Sequence, residues 1–140
     1  MNEEKDIRWM LLLIFVLLIP KSYSYIESVE YKGFQLRFYD ENINKTRCIE
    51  FLDSINESHL EKMSSISFFD SKWQRVYGGM YWSGGIIYNM NGCNKEILTH
   101  ELGHHLQWLR RDSWMELLYH KGHFYEYMEE VRGDSDYYYG

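Results

Sequence analysis

The chain has 140 residues, a length typical of one domain. Its formal net charge is −6, and no run of basic residues with interleaved aromatic residues occurs, so the sequence argues against a nucleic-acid surface. Aromatic residues make up 18% of the chain, which provides enough large apolar surface for a compact core.

The first 24 residues have the features of an export signal. An unbroken apolar stretch, Trp9–Ile19, is shorter than the roughly 20 residues that span the hydrocarbon core of a bilayer. Ser22 and Ser24 follow it and provide the small residues that a signal peptidase requires. An uncleaved membrane anchor through residues 9–19 is the alternative. In both cases the sequence predicts that residues 25–140 form a secreted or extracytoplasmic domain.

The next part of the chain has the patterns of a small α+β domain. Ser28–Tyr39 alternates between apolar and polar residues and predicts a strand, whereas Asn42–Glu61 has the period of an amphipathic helix. Short apolar runs predict further strands over Ser65–Asp70, Trp73–Tyr77 and Ile86–Met90. The order of one strand, a helix, several strands and then helices predicts an α+β fold with a small mixed sheet.

The chain contains two cysteines, Cys48 and Cys93. In an exported protein of this size, a disulfide between them is one interpretation. Two small, buried apolar side chains are the other, and the sequence does not decide between them.

The most informative segment is HELGH, residues 100–104, within a predicted helix over Lys95–Arg111. Asn94 is the predicted N-cap of this helix, and its leucines recur at helical spacing as a buried stripe: Leu98, Leu102, Leu106 and Leu109. Positions i and i+4 lie on one face of a helix, so the imidazoles of His100 and His104 can reach one metal ion. Glu101 lies beside that ion without being placed to bind it, so it can take a proton from metal-bound water. Two histidines and a carboxylate base at this spacing are typical of a zinc hydrolase that cleaves peptide bonds.

A catalytic zinc site needs a third protein ligand. The positions three and six residues after the second histidine carry glutamine and arginine, which excludes the motif with a third histidine. A predicted C-terminal helix, His123–Asp134, offers carboxylates instead. Glu130 is the predicted ligand, because Asp134 one turn later can accept a hydrogen bond from a ligating imidazole. Glu126 is the alternative ligand, and Gly133 is expected to let this helix approach the motif helix closely.

These two segments resemble the arrangement of gluzincins, in which two histidines precede a glutamate of an E-x-x-x-D segment, here Glu130 to Asp134. The short distance between the segments is most similar to minigluzincins, which are single-domain prokaryotic peptidases. The resemblance implies a zincin-like domain in which His100, His104 and Glu130 bind Zn²⁺. It also implies that an edge strand in the Gly84–Met90 region binds a peptide or protein substrate in an extended conformation.

No motif fixes the group that would stabilise the oxyanion of the reaction. His123 is the first candidate, because the loop before the predicted C-terminal helix can aim it at the cleft. Three tyrosines compete with it: Tyr119, Tyr125 and Tyr127. The tyrosine-rich tail that begins at Asp136 is hypothesised to fold back over the cleft, as the resemblance suggests for small family members.

The sequence therefore predicts an exported zinc metalloendopeptidase of the gluzincin type, with Glu101 as general base. A non-catalytic, zinc-containing peptide-binding module of the same fold is the alternative. A metal-free structural domain is the third hypothesis, in which the spacing of the histidines is coincidence.

Overall fold

A mixed β-sheet forms the centre of the fold. The described residues form the five strands of this sheet and three α-helices. The computed structural model describes residues 11, 25–70, 78–110 and 123–139. The strands are β1 (Glu27–Tyr31), β2 (Phe34–Phe38), β3 (Ser65–Phe68), β4 (Gly79–Trp82) and β5 (Ile86–Asn89). The helices are α1 (Lys45–Ser54), α2 (Lys95–Leu109) and α3 (Phe124–Tyr139), with a 3₁₀ helix over Glu57–Leu60. The predicted α+β class is confirmed.

The strands lie in the order β1-β2-β3-β5-β4. The pairs β2–β3 and β3–β5 are parallel, whereas the outer pairs β1–β2 and β4–β5 are antiparallel. The prediction that the Gly84–Met90 region forms the edge strand is therefore wrong. Strand β5 pairs with β3 on one side and with β4 on the other, which leaves β4 at the edge of the described sheet.

The single strand predicted over Ser28–Tyr39 is a hairpin of β1 and β2. Lys32 and Gly33 form its turn with φ angles of 46° and 88°. Two successive residues with positive φ match the right-handed twist of the flanking strands, so they reverse the chain within two residues. The apolar alternation predicted the strand conformation, but it continues across the turn and so conceals it.

The helix predicted over Asn42–Glu61 is likewise divided, into α1 and the 3₁₀ helix. The side chain of Asn44 accepts a hydrogen bond from the backbone N–H of Arg47 (3.1 Å) and starts α1. The side chain of Asn56 accepts one from the backbone N–H of Ser58 (3.0 Å) and starts the 3₁₀ helix. Asn56 lies at the break and gives the Ser58 N–H an acceptor that a continuous helix would have provided internally, so the α-helix ends before it.

Cys48 and Cys93 form a disulfide, with their Cα atoms 5.2 Å apart. The bond joins α1 to the loop that precedes α2 and closes a segment with a sequence separation of 45 residues. By the chain-entropy model, a loop of this length lowers the entropy of the unfolded state by an amount worth about 4 kcal/mol. The disulfide therefore ties the start of the motif helix to the rest of the domain.

Helix α2 packs one face on the sheet through the predicted leucine stripe. Leu98, Leu102 and Leu106 are at most 1% exposed, and they contact the same core as Leu36 and Ile66 of the sheet. Helix α3 packs on α2 from the other side, and Val131 is completely buried there. The motif helix is consequently covered on two sides, by the sheet and by α3.

The backbone of α3 continues to Tyr139 instead of ending at Asp134 as predicted. Up to Tyr139, the backbone of the tyrosine-rich tail thus extends the helix and does not turn back towards the cleft as hypothesised. Two predicted elements lie outside the described residues. They are the signal or anchor within residues 1–24, of which only Leu11 is described, and the strand predicted over Trp73–Tyr77. Among the helices that the structure does describe, none has the length and apolar character needed to cross a membrane.

Two adjacent glycines of the β4–β5 turn give a matched test of how closely this turn packs against the segment that follows the 3₁₀ helix. A Cβ on Gly85 would lie 2.5 Å from the backbone oxygen of Lys62, and its φ is 76°. Gly84 also has a positive φ, 96°, but a Cβ there would meet nothing within 4 Å. We expect Gly84→Ala to lower the free energy of unfolding by about 1 kcal/mol and Gly85→Ala by about 3 kcal/mol or more. Urea unfolding measures both, and equal losses would contradict the close contact with Lys62.

Candidate active site

The HELGH segment lies in the first ten residues of α2, whose N-cap is Asn94 as predicted. The Asn94 side chain accepts a hydrogen bond from the Ile97 backbone N–H at 3.0 Å. The two motif histidines lie on one face of the helix. Their ring centroids are 5.1 Å apart at an interplanar angle of 73°. His104 is 7% exposed, whereas His100 is half-buried. The helix therefore brings the two imidazoles together as the i, i+4 spacing predicts.

A hydrogen bond to Gln107 fixes the orientation of His104. Nδ1 of His104 donates to Oε1 of Gln107 at 2.8 Å, and Gln107 is completely buried. The ring is stacked on Phe124, with centroids 4.4 Å apart, and lies parallel to the ring of Tyr81 at 6.5 Å. A proton on Nδ1 makes Nε2 the basic nitrogen, which is the arrangement that metal-binding histidines need. Sequence reasoning missed this role of Gln107, although it lies three residues after His104 on the same helix face.

His105 has the opposite hydrogen-bond pattern. Its Nε2 donates to the backbone oxygen of Glu61 (2.8 Å), and its Nδ1 accepts from the hydroxyl of Tyr81 (2.9 Å). Burial lowers the pKa of His105 to about 4. The residue therefore stays neutral and joins α2 to β4 and to the end of the 3₁₀ helix, which is a structural role.

Glu101 lies at a cleft between α2, β4 and α3. The cleft has a volume of about 450 Å³ and is lined by Gly78, Gly79, Glu96, Ile97, His100, Glu101 and Met128. Glu101 is 5% exposed, and burial raises its pKa to about 8. The proton affinity of this carboxyl is therefore close to that of a general base working near neutral pH.

Gly79 allows β4 to pass directly over Glu101. A Cβ on Gly79 would lie 3.0 Å from Oε1 of Glu101 and 2.6 Å from Cγ2 of Ile97. Any larger residue would displace the side chain of Ile97 or push the edge strand away from α2, and it would crowd the carboxyl of Glu101. The two glycines at the start of β4 thus belong to the cleft, a function that the sequence did not reveal.

Glu130, the predicted third ligand, is held by Arg110. The two guanidinium nitrogens of Arg110 donate to the two carboxylate oxygens of Glu130 at 2.9 and 2.8 Å. Nε2 of His59 lies 3.4 Å from Oε2 of the same carboxylate. The hydrogen bonds from Arg110 lower the pKa of Glu130. The structure therefore does not bring Glu130 to the histidine pair.

The rotation of α3 explains this separation. Phe124 faces the motif, since its ring centroid lies 5.0 Å from that of His100 and 4.4 Å from that of His104. Glu130 follows Phe124 by six residues, which places it about 9 Å further along the helix axis and about a third of a turn around it. Met128, not a carboxylate, is the residue of α3 that lines the cleft.

The other predicted residues of α3 have partners elsewhere. The carboxylate of Glu126, the alternative ligand, lies 3.2 Å from Nδ1 of His123, and both side chains are more than half exposed. His123 is not among the described residues that line the cleft. Asp134 accepts a hydrogen bond from the backbone N–H of Asn56 at 3.1 Å and lies 2.6 Å from Nδ1 of His59.

The tyrosine candidates for oxyanion stabilisation differ in their surroundings. Tyr125 is 60% exposed, whereas Tyr127 is buried. The guanidinium carbon of Arg110 lies 4.5 Å from the ring centroid of Tyr127. Tyr119 lies outside the described residues. Neither Tyr125 nor Tyr127 is among the described residues that line the cleft.

The two helices approach closely at Gly103, not at Gly133. A Cβ on Gly103 would lie 3.0 Å from Cε2 of Phe124 and 3.3 Å from Cβ of Met128. A Cβ on Gly133 would meet nothing within 4 Å, so the prediction that Gly133 permits the close approach is wrong. The glycine within HELGH itself provides the space, because it lies on the face that α3 covers.

The described residues bring together two of the three predicted metal ligands, His100 and His104. The histidine pair fits a metal ion in spacing and in the protonation that Gln107 imposes on His104. The carboxylates do not complete it: within residues 25–70, 78–110 and 123–139, no three His, Cys, Asp or Glu side chains are grouped to hold a metal. Comparisons of the chain with family models, curated proteins and solved structures gave no match.

The adjacent residues His104 and His105 should be opposite neutral tautomers in the metal-free protein. We expect Nδ1–H for His104 and Nε2–H for His105, because of their respective acceptors. Imidazole ¹⁵N chemical shifts at pH 8 distinguish the two tautomers. Gln107→Leu removes the acceptor of His104, so its shifts should move towards a mixture while those of His105 stay constant. A wild-type His104 with its proton on Nε2 would contradict the role assigned to Gln107.

The raised pKa of Glu101 predicts that the metal-free protein loses stability as pH rises. The folded state retains a proton up to about pH 8, whereas the unfolded state releases it near the ordinary value of 4.5. Stability therefore declines between these two values. We expect Glu101→Gln to be more stable than wild type by about 3 to 5 kcal/mol at pH 9 and equal to it near pH 4. Chemical unfolding across this range measures the difference, and the exposed Glu41→Gln serves as the control without such a trend.

Proposed function

We propose that this chain is a zinc-dependent endopeptidase in which His100 and His104 bind the metal and Glu101 is the general base. The observation that carries the proposal is the position of Glu101 and His100 in one cleft beneath the edge strand β4. Two histidines on one helix face, with an intervening carboxyl of raised pKa, have the chemistry of a hydrolytic zinc site. A buried structural helix has no need for this combination.

The proposed ligand set is His100, His104 and Glu130, the set that a gluzincin-type enzyme would use. His104 is prepared for it by Gln107, which leaves Nε2 as the basic nitrogen. Glu130 would have to leave Arg110 in order to join the histidines. When bound, zinc supplies a Lewis acid that lowers the pKa of a water molecule and polarises a carbonyl group.

Glu101 is the group that moves protons in the proposed reaction. Its carboxylate takes a proton from the attacking water and returns it to the nitrogen of the departing amine. The burial that raises its pKa to about 8 also strengthens its interaction with a nearby cation, which shifts that pKa back towards neutral pH. Near neutral pH it can then both accept and release a proton. His123 remains the proposed oxyanion donor only if it moves from the exposed position beside Glu126.

The proposed substrate is a peptide or protein segment in an extended conformation. Strand β4 lies at the edge of the described sheet and runs beside the cleft, with Gly78 and Gly79 among the cleft residues. An extended peptide can add to such an edge through backbone hydrogen bonds, which depend little on its sequence. The position of α2 beneath the edge strand β4 also supports the zincin-like interpretation of the fold.

The disulfide supports the proposed location outside the cytoplasm. Disulfides persist in oxidising compartments and are rare in the reducing cytosol. The bond between Cys48 and Cys93 joins α1 to the loop before α2, so its reduction would loosen the start of the motif helix. A secreted or membrane-anchored enzyme is consistent with this dependence.

The proposal is tested by measuring zinc content and peptide cleavage on the same preparations. We expect one zinc per chain in the wild type and in Glu101→Gln, because Glu101 is not a ligand. Cleavage of an unstructured protein such as casein should fall at least about 100-fold in Glu101→Gln, the loss expected for removal of a general base. His104→Ala should lose both zinc and cleavage, whereas the exposed Glu41→Gln should keep both.

The same measurements separate the alternatives. A peptide-binding module would hold zinc but show no cleavage in either wild type or Glu101→Gln. A metal-free structural domain would show no zinc that depends on His104. Full zinc content in Glu130→Ala would show that Glu130 is not the third ligand. Glu126→Ala would then test the alternative carboxylate.

A further inference from the structure

We propose that Tyr81 and His105 are positioning residues: their hydrogen bond holds the edge strand β4 in place above α2, so that an extended peptide added to β4 lies across the cleft at Glu101. The inference rests on the proposed function for the identity of the ligand, which is an extended peptide. It involves no metal, because it concerns only the strand and the helix that border the cleft.

Alternate residues of β4 face opposite sides of the sheet. Gly79 faces α2, since a Cβ there would lie 3.0 Å from Oε1 of Glu101. Tyr81 faces α2 as well, with its hydroxyl 2.9 Å from Nδ1 of His105. Met80, between them, packs in a separate apolar cluster. Strand β4 therefore meets the helix at two points, one without a side chain and one through a hydrogen bond.

The spacing of the two contacts is the same on the strand and on the helix. Residues two apart in a strand are separated by about 6.6 Å, and residues four apart in a helix rise by about 6 Å along its axis. Gly79 and Tyr81 are two apart in β4. Their partners, Glu101 and His105, are four apart in α2. The strand consequently runs beside the helix in a defined register, with two strand residues for each helical turn.

His105 is a rigid anchor for Tyr81. It is completely buried, and its Nε2 donates to the backbone oxygen of Glu61 at 2.8 Å. In the neutral ring this leaves Nδ1 as an acceptor, so the hydroxyl of Tyr81 donates. The ring of Trp108 stacks on the imidazole, with centroids 5.7 Å apart. The direction of the imidazole is thus fixed by partners other than Tyr81.

An edge strand depends on such a contact because only one of its sides is paired. Strand β4 pairs with β5, and in the described part of the sheet no strand lies on its other side. That free side is where an extended peptide would add through backbone hydrogen bonds. A shift of β4 along α2 would carry these backbone groups away from the cleft, so the bond from Tyr81 to His105 sets where the peptide lies.

The opposite edge of the sheet provides a matched control. Tyr31 ends β1, and its hydroxyl donates to Oδ1 of Asp53 in α1 at 2.7 Å. Each tyrosine thus joins an edge strand to a helix through one hydroxyl. Of the two strands, β4 alone contributes to the described residues that line the cleft. Changing tyrosine to phenylalanine removes the same atom at both positions.

The test measures binding of fluorescein-labelled casein to the full chain by fluorescence anisotropy, in a Glu101→Gln background so that the casein stays intact. We expect Tyr81→Phe to weaken binding about 3- to 10-fold, the size expected for one lost hydrogen bond. Tyr31→Phe should change it by less than about 2-fold. Equal binding by these two variants would overturn the inference, because a similar loss in both would reflect general stability and no loss in either would mean that Tyr81 does not position β4.

Backbone hydrogen exchange gives a readout that needs no ligand. In Tyr81→Phe, exchange of residues 79–82 should accelerate under conditions in which the domain stays folded, because β4 is less firmly held. In Tyr31→Phe, exchange of these residues should stay as in the unchanged chain. Unaltered exchange of residues 79–82 in Tyr81→Phe would overturn the positioning role.

A double variant tests whether Tyr81 acts through His105. In a His105→Leu background, Tyr81→Phe should cause no further loss of casein binding, because the acceptor of the hydroxyl is already absent. A further loss of about 3-fold or more would overturn the assignment of His105.

The results also separate this inference from the proposed function. Weaker casein binding in Tyr81→Phe, with undiminished cleavage in Glu101→Gln, would support the positioning of β4 and refute the proposed general base. Cleavage that requires Glu101, with equal casein binding whether residue 81 is changed or not, would refute the positioning alone. Absence of casein binding in the Glu101→Gln background would overturn the inference as well, whereas cleavage by the unchanged chain would still decide the proposed function.

Discussion

The close crossing of α2 and α3 at Gly103 is the contact on which the candidate site depends. A Cβ there would lie 3.0 Å from the ring of Phe124 and 3.3 Å from Cβ of Met128, so glycine lets the two helices meet at this distance without displacing either side chain. The crossing determines which residues of α3 face the motif. Phe124 and Met128 take those positions, and Glu130 is turned towards Arg110 as a result. One glycine inside the HELGH segment thus governs both the burial of the histidines and the exclusion of the carboxylate.

The same packing places polar groups where burial is costly. Glu101 is almost completely buried below β4, and its carboxyl retains a proton to about pH 8 because its ionised form would be poorly solvated. Gly79 permits this by bringing strand backbone against the carboxyl. Evolution tolerates such a cost at functional sites more readily than in ordinary cores. A cation beside His100 would offset the cost, so the electrostatics of the cleft and the spacing of the histidines favour the same kind of ligand.

The sequence predicted the parts of this arrangement that depend on neighbours along the chain. The start of α2 at Asn94, the leucine stripe and the shared face of the two histidines follow from helical periodicity, and the structure contains all three. The edge position of β4 and the rotation of α3 depend on contacts between distant segments, which periodicity does not contain. Gln107 is an intermediate case. Its spacing from His104 was visible, but only its burial distinguishes a partner of the imidazole from a surface amide.

Ion pairs on either side of the crossing connect helix packing to the chemistry of the cleft. Arg132 reaches Glu96 near the start of α2, and Arg110 reaches Glu130 from its end. The two arginines therefore hold α3 against α2 from opposite ends of the motif helix, and both pairs are partly exposed. Only the second pair contains a proposed metal ligand. Phe124 of the same helix is stacked on His104, so the packing of α3 sets both the burial of the histidines and the direction in which Glu130 points.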